Sequence, residues 1–139
     1  MYQTSHATSS GPGLENLYLA ISAIDDVNAP ARDAQGITDA ALAGTCNISR
    51  AALDQFCALL GAVAGNFALT FRARGGAFIA GGIAPRITEY LAKSSFRERF
   101  EAKGRFEHYL KAIATNVIVR PDPAFLGLKA LAERTAPDR

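Results

Sequence analysis

The chain has 139 residues, 49% of them hydrophobic and 20% charged, with a net charge of +2. That suits one compact domain or one lobe of a larger one, and it excludes the disordered class. Acids and bases are interspersed, so neither a nucleic-acid nor a membrane partner is implied.

Two cysteines, Cys46 and Cys57, are too few for a disulfide framework, and His6 and His108 have no acidic or sulfur neighbours at ligand spacing, so no metal site is expected. By this reading no apolar window is long enough to cross a bilayer without interruption by Gly, Asn or charge. The polar start, Met1 to Ser10, lacks the basic and apolar regions of a signal peptide. A cytoplasmic location is the expectation.

In chain order, residues 1–9 have no periodicity and read as a loose or non-native terminus. Ser10-Gly11-Pro12-Gly13 is a tight turn opening a helix, because proline is favoured where its missing N–H is not needed. Leu14, Leu17, Tyr18 and Ile21 follow at helical spacing and predict a helix over Leu14–Ile24. A polar loop runs from Asp25 to Gly36, and Thr38 can cap a short helix ending at Gly44.

The strongest pattern spans Ser49 to about Arg72. Leu53, Phe56, Cys57, Leu60, Val63, Ala64 and Phe67 share one helical face, while Ala52, Leu59, Ala62 and Leu69 make the opposite face apolar too. A helix apolar nearly all round belongs in the middle of its domain. Gly61 and Gly65, one turn apart, would let another element approach closely; helix interiors otherwise avoid glycine.

Beyond Arg74-Gly75, Ala77-Phe78-Ile79-Ala80 is a short apolar run closed by Gly81-Gly82 and reads as a buried parallel strand. Ile83, Ile87, Tyr90 and Leu91 resume helical spacing with Pro85 in the first turn. Ser95-Phe96-Arg97-Glu98 matches a capping box and predicts a helix ending at Gly104. Phe106, Tyr109, Leu110 and Ile113 predict another, and Asn116 to Val119 a second buried strand. Asp122-Pro123 is the expected start of a last helix through Ala132, and residues 136–139 form a tail. The fold class is therefore α/β, helix-rich, with few parallel strands around a long buried helix. Because a two-stranded parallel sheet does not stand alone, the pattern looks like part of a larger α/β sheet.

Gly81-Gly82 is the first candidate site. A glycine pair after a parallel strand and before a helix can lie against a flat ring or a phosphate, or it can be a tight turn with no ligand; the residues leave both readings open. Ser10 to Gly13 carries the same two readings. Arg72 and Arg74 read as phosphate contacts or as a solvated helix end. Asn66 reads as a structural hydrogen-bonding residue and His108 as an exposed helical one. The chain has no Walker A sequence, no kinase HRD or DFG set, and no GxSxG, HExxH or GxGxxG motif.

Several runs taken together resemble bacterial glucokinases. Ser10 to Tyr18 matches their SGPGLxNLY run, and Phe56 to Leu69 their long helix with a GNxAL ending. Gly75 to Arg86 is close to their GGVFIAGGIxPR signature, and the stretches from Phe96 to Phe106 and from Asn116 to Gly127 match in order. The resemblance covers Ser10 to about Glu133.

It implies the C-terminal, nucleotide-side part of an actin-like (ribonuclease H-like) sugar-kinase lobe, over residues 10–135. It implies transfer of the ATP γ-phosphate to the 6-hydroxyl of glucose with Mg²⁺, and a homodimer. Gly81, Gly82 and Ile83 would lie along the adenosine, and Ser10, Gly11 and Gly13 near the nucleotide at the lobe boundary. The family's phosphate loop, its Asn-Asp pair and its sugar-holding Glu/His set have no match in this chain, so no catalytic residue or metal ligand is expected here and the chain alone is expected to be inactive. The alternative is a non-catalytic packing or dimerisation module derived from the same lobe.

Overall fold

The computed structural model describes residues 10–121 and 123–135. The expected loose terminus over 1–9, the cap at Asp122 and the tail over 136–139 lie outside the described residues. Helix α1 spans Gly11–Ile24, α2 Ala34–Leu42 and α3 Asn47–Thr70. Strand β1 (Ala77–Ile79) is followed by a 3₁₀ turn (Ala84–Arg86), α4 (Thr88–Lys93) and α5 (Phe96–Glu101). A second 3₁₀ turn (Gly104–Phe106), α6 (Glu107–Lys111), β2 (Thr115–Val117) and α7 (Pro123–Thr135) complete the order.

The long helix α3 organises the rest: α1, α2 and α5 all pack on it. Leu14 and Tyr18 of α1, Ile37 of α2 and Leu53, Phe56 and Cys57 of α3 form one core, joined by Ile87, Leu91 and Phe96. A second, smaller core holds Ala68, Phe100, Leu110 and Ile113. By length and composition alone α3, with a mean hydropathy of 1.4, is long and apolar enough to cross a bilayer, although Gly61, Gly65 and Asn66 interrupt its apolar run. Its packing on three other helices accounts for that composition as a core helix.

It is not buried all round, however. Toward its C-terminal end the buried stripe is Gly61, Gly65 and Ala68, while Phe67 is 47% exposed. The two glycines sit where expected. An added Cβ would lie 2.1 Å from the Phe96 carbonyl oxygen at Gly61, and 2.3 Å from that of Phe100 at Gly65. The main chain of α5 thus rests directly on the α3 backbone.

Local hydrogen bonding corrects several helix starts. Asp33, not Thr38, caps α2: its Oδ1 accepts from the Gly36 N–H at 2.8 Å. Thr38 lies inside the helix and donates back to the Ala34 carbonyl. The Glu15 carboxylate of α1 accepts the neighbouring Ala34 N–H at 2.9 Å, tying the two helices together. At α5 the Ser95 side chain makes no cap, so the predicted box does not form; the Ser94 Oγ accepts from the Phe96 N–H instead. Asn66 is exposed on α3 and solvated.

Three helices end alike, in Schellman turns. Asp26, Gly44 and Arg72 occupy the left-handed position, with φ of 51°, 69° and 50°. The bonds at the last of these are Arg72 N–H to Leu69 C=O and Ala73 N–H to Ala68 C=O. Glycine is unstrained there, whereas a residue with a Cβ costs roughly 1–2 kcal/mol.

The strands pair in parallel as expected, in the register Ala77↔Thr115, Phe78↔Asn116 and Ile79↔Val117. They are less buried than predicted. The inward face is half-covered, but Phe78 on the outward face is 63% exposed. Among the described residues only two strands are present, so each has a free edge.

Candidate functional site

The two glycine-rich turns, far apart in sequence, meet in space. Ser10 and Gly11 at the N-terminus of α1 face Ala80, Gly81, Gly82, Ile83 and Ala84 across a hollow of about 230 Å³. Phe56 and Leu60, one turn apart on α3, and Ile79 of β1 form its apolar wall. Sequence reading assigned Phe56 and Leu60 to the core and missed this second duty. Their position on the α3 face toward both turns was the available signal.

Five of the six predicted site residues, Ser10, Gly11, Gly81, Gly82 and Ile83, therefore line one space. The sixth, Gly13, is buried within α1 and does not line the hollow.

The hollow is built by backbone. The sheet bond from the Ile118 N–H to the Ile79 carbonyl, 2.9 Å, fixes the end of β1. Gly81 then takes φ +140°, which L side chains rarely adopt, while Gly82 lies outside the left-handed region. A Cβ added at either would meet nothing within 4 Å, so the surface there is open to a ligand.

The expected α-helix directly after the pair is not formed. Pro85 has no N–H to give, and the chain makes a 3₁₀ turn before the six-residue α4 begins at Thr88. The helix N-terminus presented to the hollow is that of α1, 14 residues long, with its partial positive charge. On the far side of Gly81 and Gly82 a second, larger hollow of about 580 Å³ includes Pro85, Val119, Arg120 and Phe125. The glycine pair is thus a thin shared wall.

No lining residue of the glycine hollow is a carboxylate, histidine or cysteine. Among the described residues no three His, Cys, Asp or Glu side chains converge as a metal site. The perturbed groups lie elsewhere. Burial pushes the Cys57 thiol up to about 11, which leaves it a protonated core residue. Burial and the 2.6 Å hydrogen bond to Asp54 push Tyr90 up to about 12. Cys46 caps α3, and hydrogen bonds from Ser49 lower its pKa. His108 is exposed. The lining of the hollow offers backbone and apolar surface, with the Ser10 side chain its one hydroxyl.

Comparison with known proteins points to one family. The glucokinase family profile matches residues 4–135. The chain is 52% identical over 122 residues to a glucokinase of Paramagnetospirillum magneticum, covering 88% of this chain and 38% of that protein. It is 49% identical over 118 residues to a glucokinase of Caulobacter vibrioides, covering 85% of this chain and 35% of that one. A crystal structure of a glucokinase from an Antarctic psychrotroph superposes with a TM-score of 0.84 at 36% identity, over 93% of this chain and 40% of that one. The chain spans little more than a third of the length of these relatives.

Proposed function

This chain belongs to the glucokinase family, and from that premise we propose that it supplies the ATP side of an enzyme transferring the γ-phosphate of ATP to the 6-hydroxyl of glucose. One observation carries the reading: two glycine-rich turns far apart in the sequence converge on one hollow with an apolar wall. A flat base lies against Phe56, Leu60 and bare glycine backbone, and the phosphates run toward the α1 N-terminus.

Phosphoryl transfer also needs a carboxylate to orient the hydroxyl and a metal to neutralise developing charge. The hollow has no residue for either task, so Mg²⁺ and glucose would be held by parts of the enzyme outside the described residues. The chain by itself positions nucleotide and does not turn over. The free sheet edges and the open Phe78 face fit a protein that works against a larger partner surface, a homodimer included.

The test is a titration of the chain with ADP followed by amide shifts, with a coupled assay on the same sample. Saturable shifts at Gly11, Gly81 and Gly82 are expected, with α5 unmoved and no glucose-dependent ADP formation. In Gly82→Val the added side chain enters open space at an unstrained φ. Melting should change little while the ADP shifts disappear. Gly81→Val, at φ +140°, should instead lose roughly 1–3 kcal/mol of stability. Unchanged ADP shifts in a folded Gly82→Val protein would leave this turn a structural corner, and turnover by the pure chain would refute the division of labour.

A further inference from the structure

A third hollow, of about 500 Å³, lies at the C-terminal end of α3, sharing no lining residue with the glycine hollow. Its walls are Leu69, Thr70, Arg72, Arg74, Phe106 and Tyr109. We infer that it binds an organic phosphate, the two guanidinium groups taking the phosphate and the aromatic rings its apolar body.

Charge is the first argument. Ion pairs among the described residues engage Arg86, Arg97, Lys111 and Lys129. Arg72 and Arg74 take part in none of these. Arg105, also outside them, stacks over the Phe106 ring at 4.9 Å and adds a third positive group beside the hollow. The lining contains no carboxylate. The carbonyl end of α3 contributes only about half a negative charge, which two full guanidinium charges outweigh.

Backbone conformation is the second argument. Arg72 stands at φ +50° in a Schellman turn, where Gly44 makes the equivalent turn after α2 without strain. The position is not unique, since Asp26 holds it after α1 at φ 51°, but at Arg72 it carries a cationic side chain that lines a hollow.

The chemistry of the walls selects the ligand. Guanidinium forks match phosphate oxygens two at a time, and an aromatic floor favours an apolar or ring-bearing ester over a bare ion.

The probe is phenyl phosphate, titrated into the chain by calorimetry at low salt, with inorganic phosphate and phenol as separate arms. Phenyl phosphate should bind saturably, at least about tenfold more tightly than either, and weaken with added salt. Arg72→Gly should melt at least as high as the parent, since glycine relieves the strain, yet bind phenyl phosphate roughly tenfold more weakly. Arg74→Gln should weaken it similarly. Gly82→Val should leave phenyl phosphate binding unaltered, which separates this site from the nucleotide hollow. Absence of saturable binding, or the same affinity in an Arg72→Gly/Arg74→Gln double variant, would overturn the inference. Loss of binding in Gly82→Val together with ADP would show that the probe had entered the glycine hollow instead.

Discussion

Gly61→Ala should cost roughly 3 kcal/mol or more, lowering the melting temperature by about 10 °C. The new methyl group would sit 2.1 Å from the Phe96 carbonyl oxygen, 2.9 Å from its carbon and 3.0 Å from its Cα. Carbon and oxygen approach no nearer than about 3.3 Å even in favourable C–H···O contacts. The obstacle is main chain, so no rotamer change relieves it. Helices α3 and α5 must move apart by about 1 Å to restore that contact distance, which unpacks Phe96 and Phe100, both in the core. Gly65→Ala should behave alike, for its Cβ would meet the Phe100 carbonyl oxygen at 2.3 Å and the Lys103 stem at 2.9 Å. Gly127→Ala is the control: nothing lies within 4 Å there, and a better helix former should be neutral or mildly stabilising. Thermal melts of the three variants decide the matter. If Gly61→Ala melted within a degree or two of the parent, α5 could not be seated on α3 as described.

The second large effect concerns Arg97. Its Nη atoms donate to the carbonyls of Ile113 at 2.8 Å, Lys111 at 3.1 Å and Leu110 at 3.2 Å, while Nε pairs with Glu101 at 2.5 Å. The guanidinium also lies 5.0 Å from the Phe100 ring centroid. Helix α6 is only five residues long, and its last carbonyls have no partner within the helix. The Leu110 carbonyl also takes the Ile113 N–H at 3.0 Å, while Arg97 serves the Lys111 and Ile113 carbonyls and holds α6 and the start of β2 against α5. Arg97→Met should cost about 2–3 kcal/mol, because the Lys111 and Ile113 carbonyls, flanking the buried Ile113 side chain, lose their donor. The Glu101 pair contributes little of this, being partly solvent-exposed. Arg97→Lys should recover less than half, since an ammonium on a shorter reach cannot serve three carbonyls at once. Urea unfolding of both variants reads the difference. A loss below about 1 kcal/mol for Arg97→Met would mean that water replaces the guanidinium without penalty.

How much of this could be read from residues alone depended on whether the cause was local. The long helix was legible because its apolar repeat runs for many turns, and its observed start, Asn47, lies two residues before the expected Ser49. Gly61 and Gly65 were legible because a helix interior tolerates glycine chiefly for close packing. Caps were harder: Asp33 and Thr38 are both cap formers, as are Ser94 and Ser95, and only the path of the incoming chain selects one of each pair. Phe78 was misjudged because an apolar strand run implies cover on both faces, and here one face is open. The glycine turns were each recognised as candidates, but their convergence depends on α1 and β1 docking on the same flank of α3, which no local pattern encodes. The Arg97 hub was invisible for the same reason, since its acceptors are backbone carbonyls that every residue possesses.

The little sheet also has a kinetic meaning. Its register joins Ala77 to Thr115, so pairing closes a loop that contains α4, α5, α6 and both 3₁₀ turns. Closing so long a loop for three residue pairs is entropically poor unless the intervening helices are already docked. Contacts of α3 with its sequence neighbour α2 and with α1 need no such closure and can form early. The order of events then places the sheet last, and with it the end of β1 from which Gly81 and Gly82 hang. An Ile79→Val substitution should accordingly speed unfolding while leaving the folding rate nearly unaltered; a slowed folding arm would place the strands in the nucleus instead. A chain caught part-way would already own its helical core and still lack the hollow between the two glycine-rich turns.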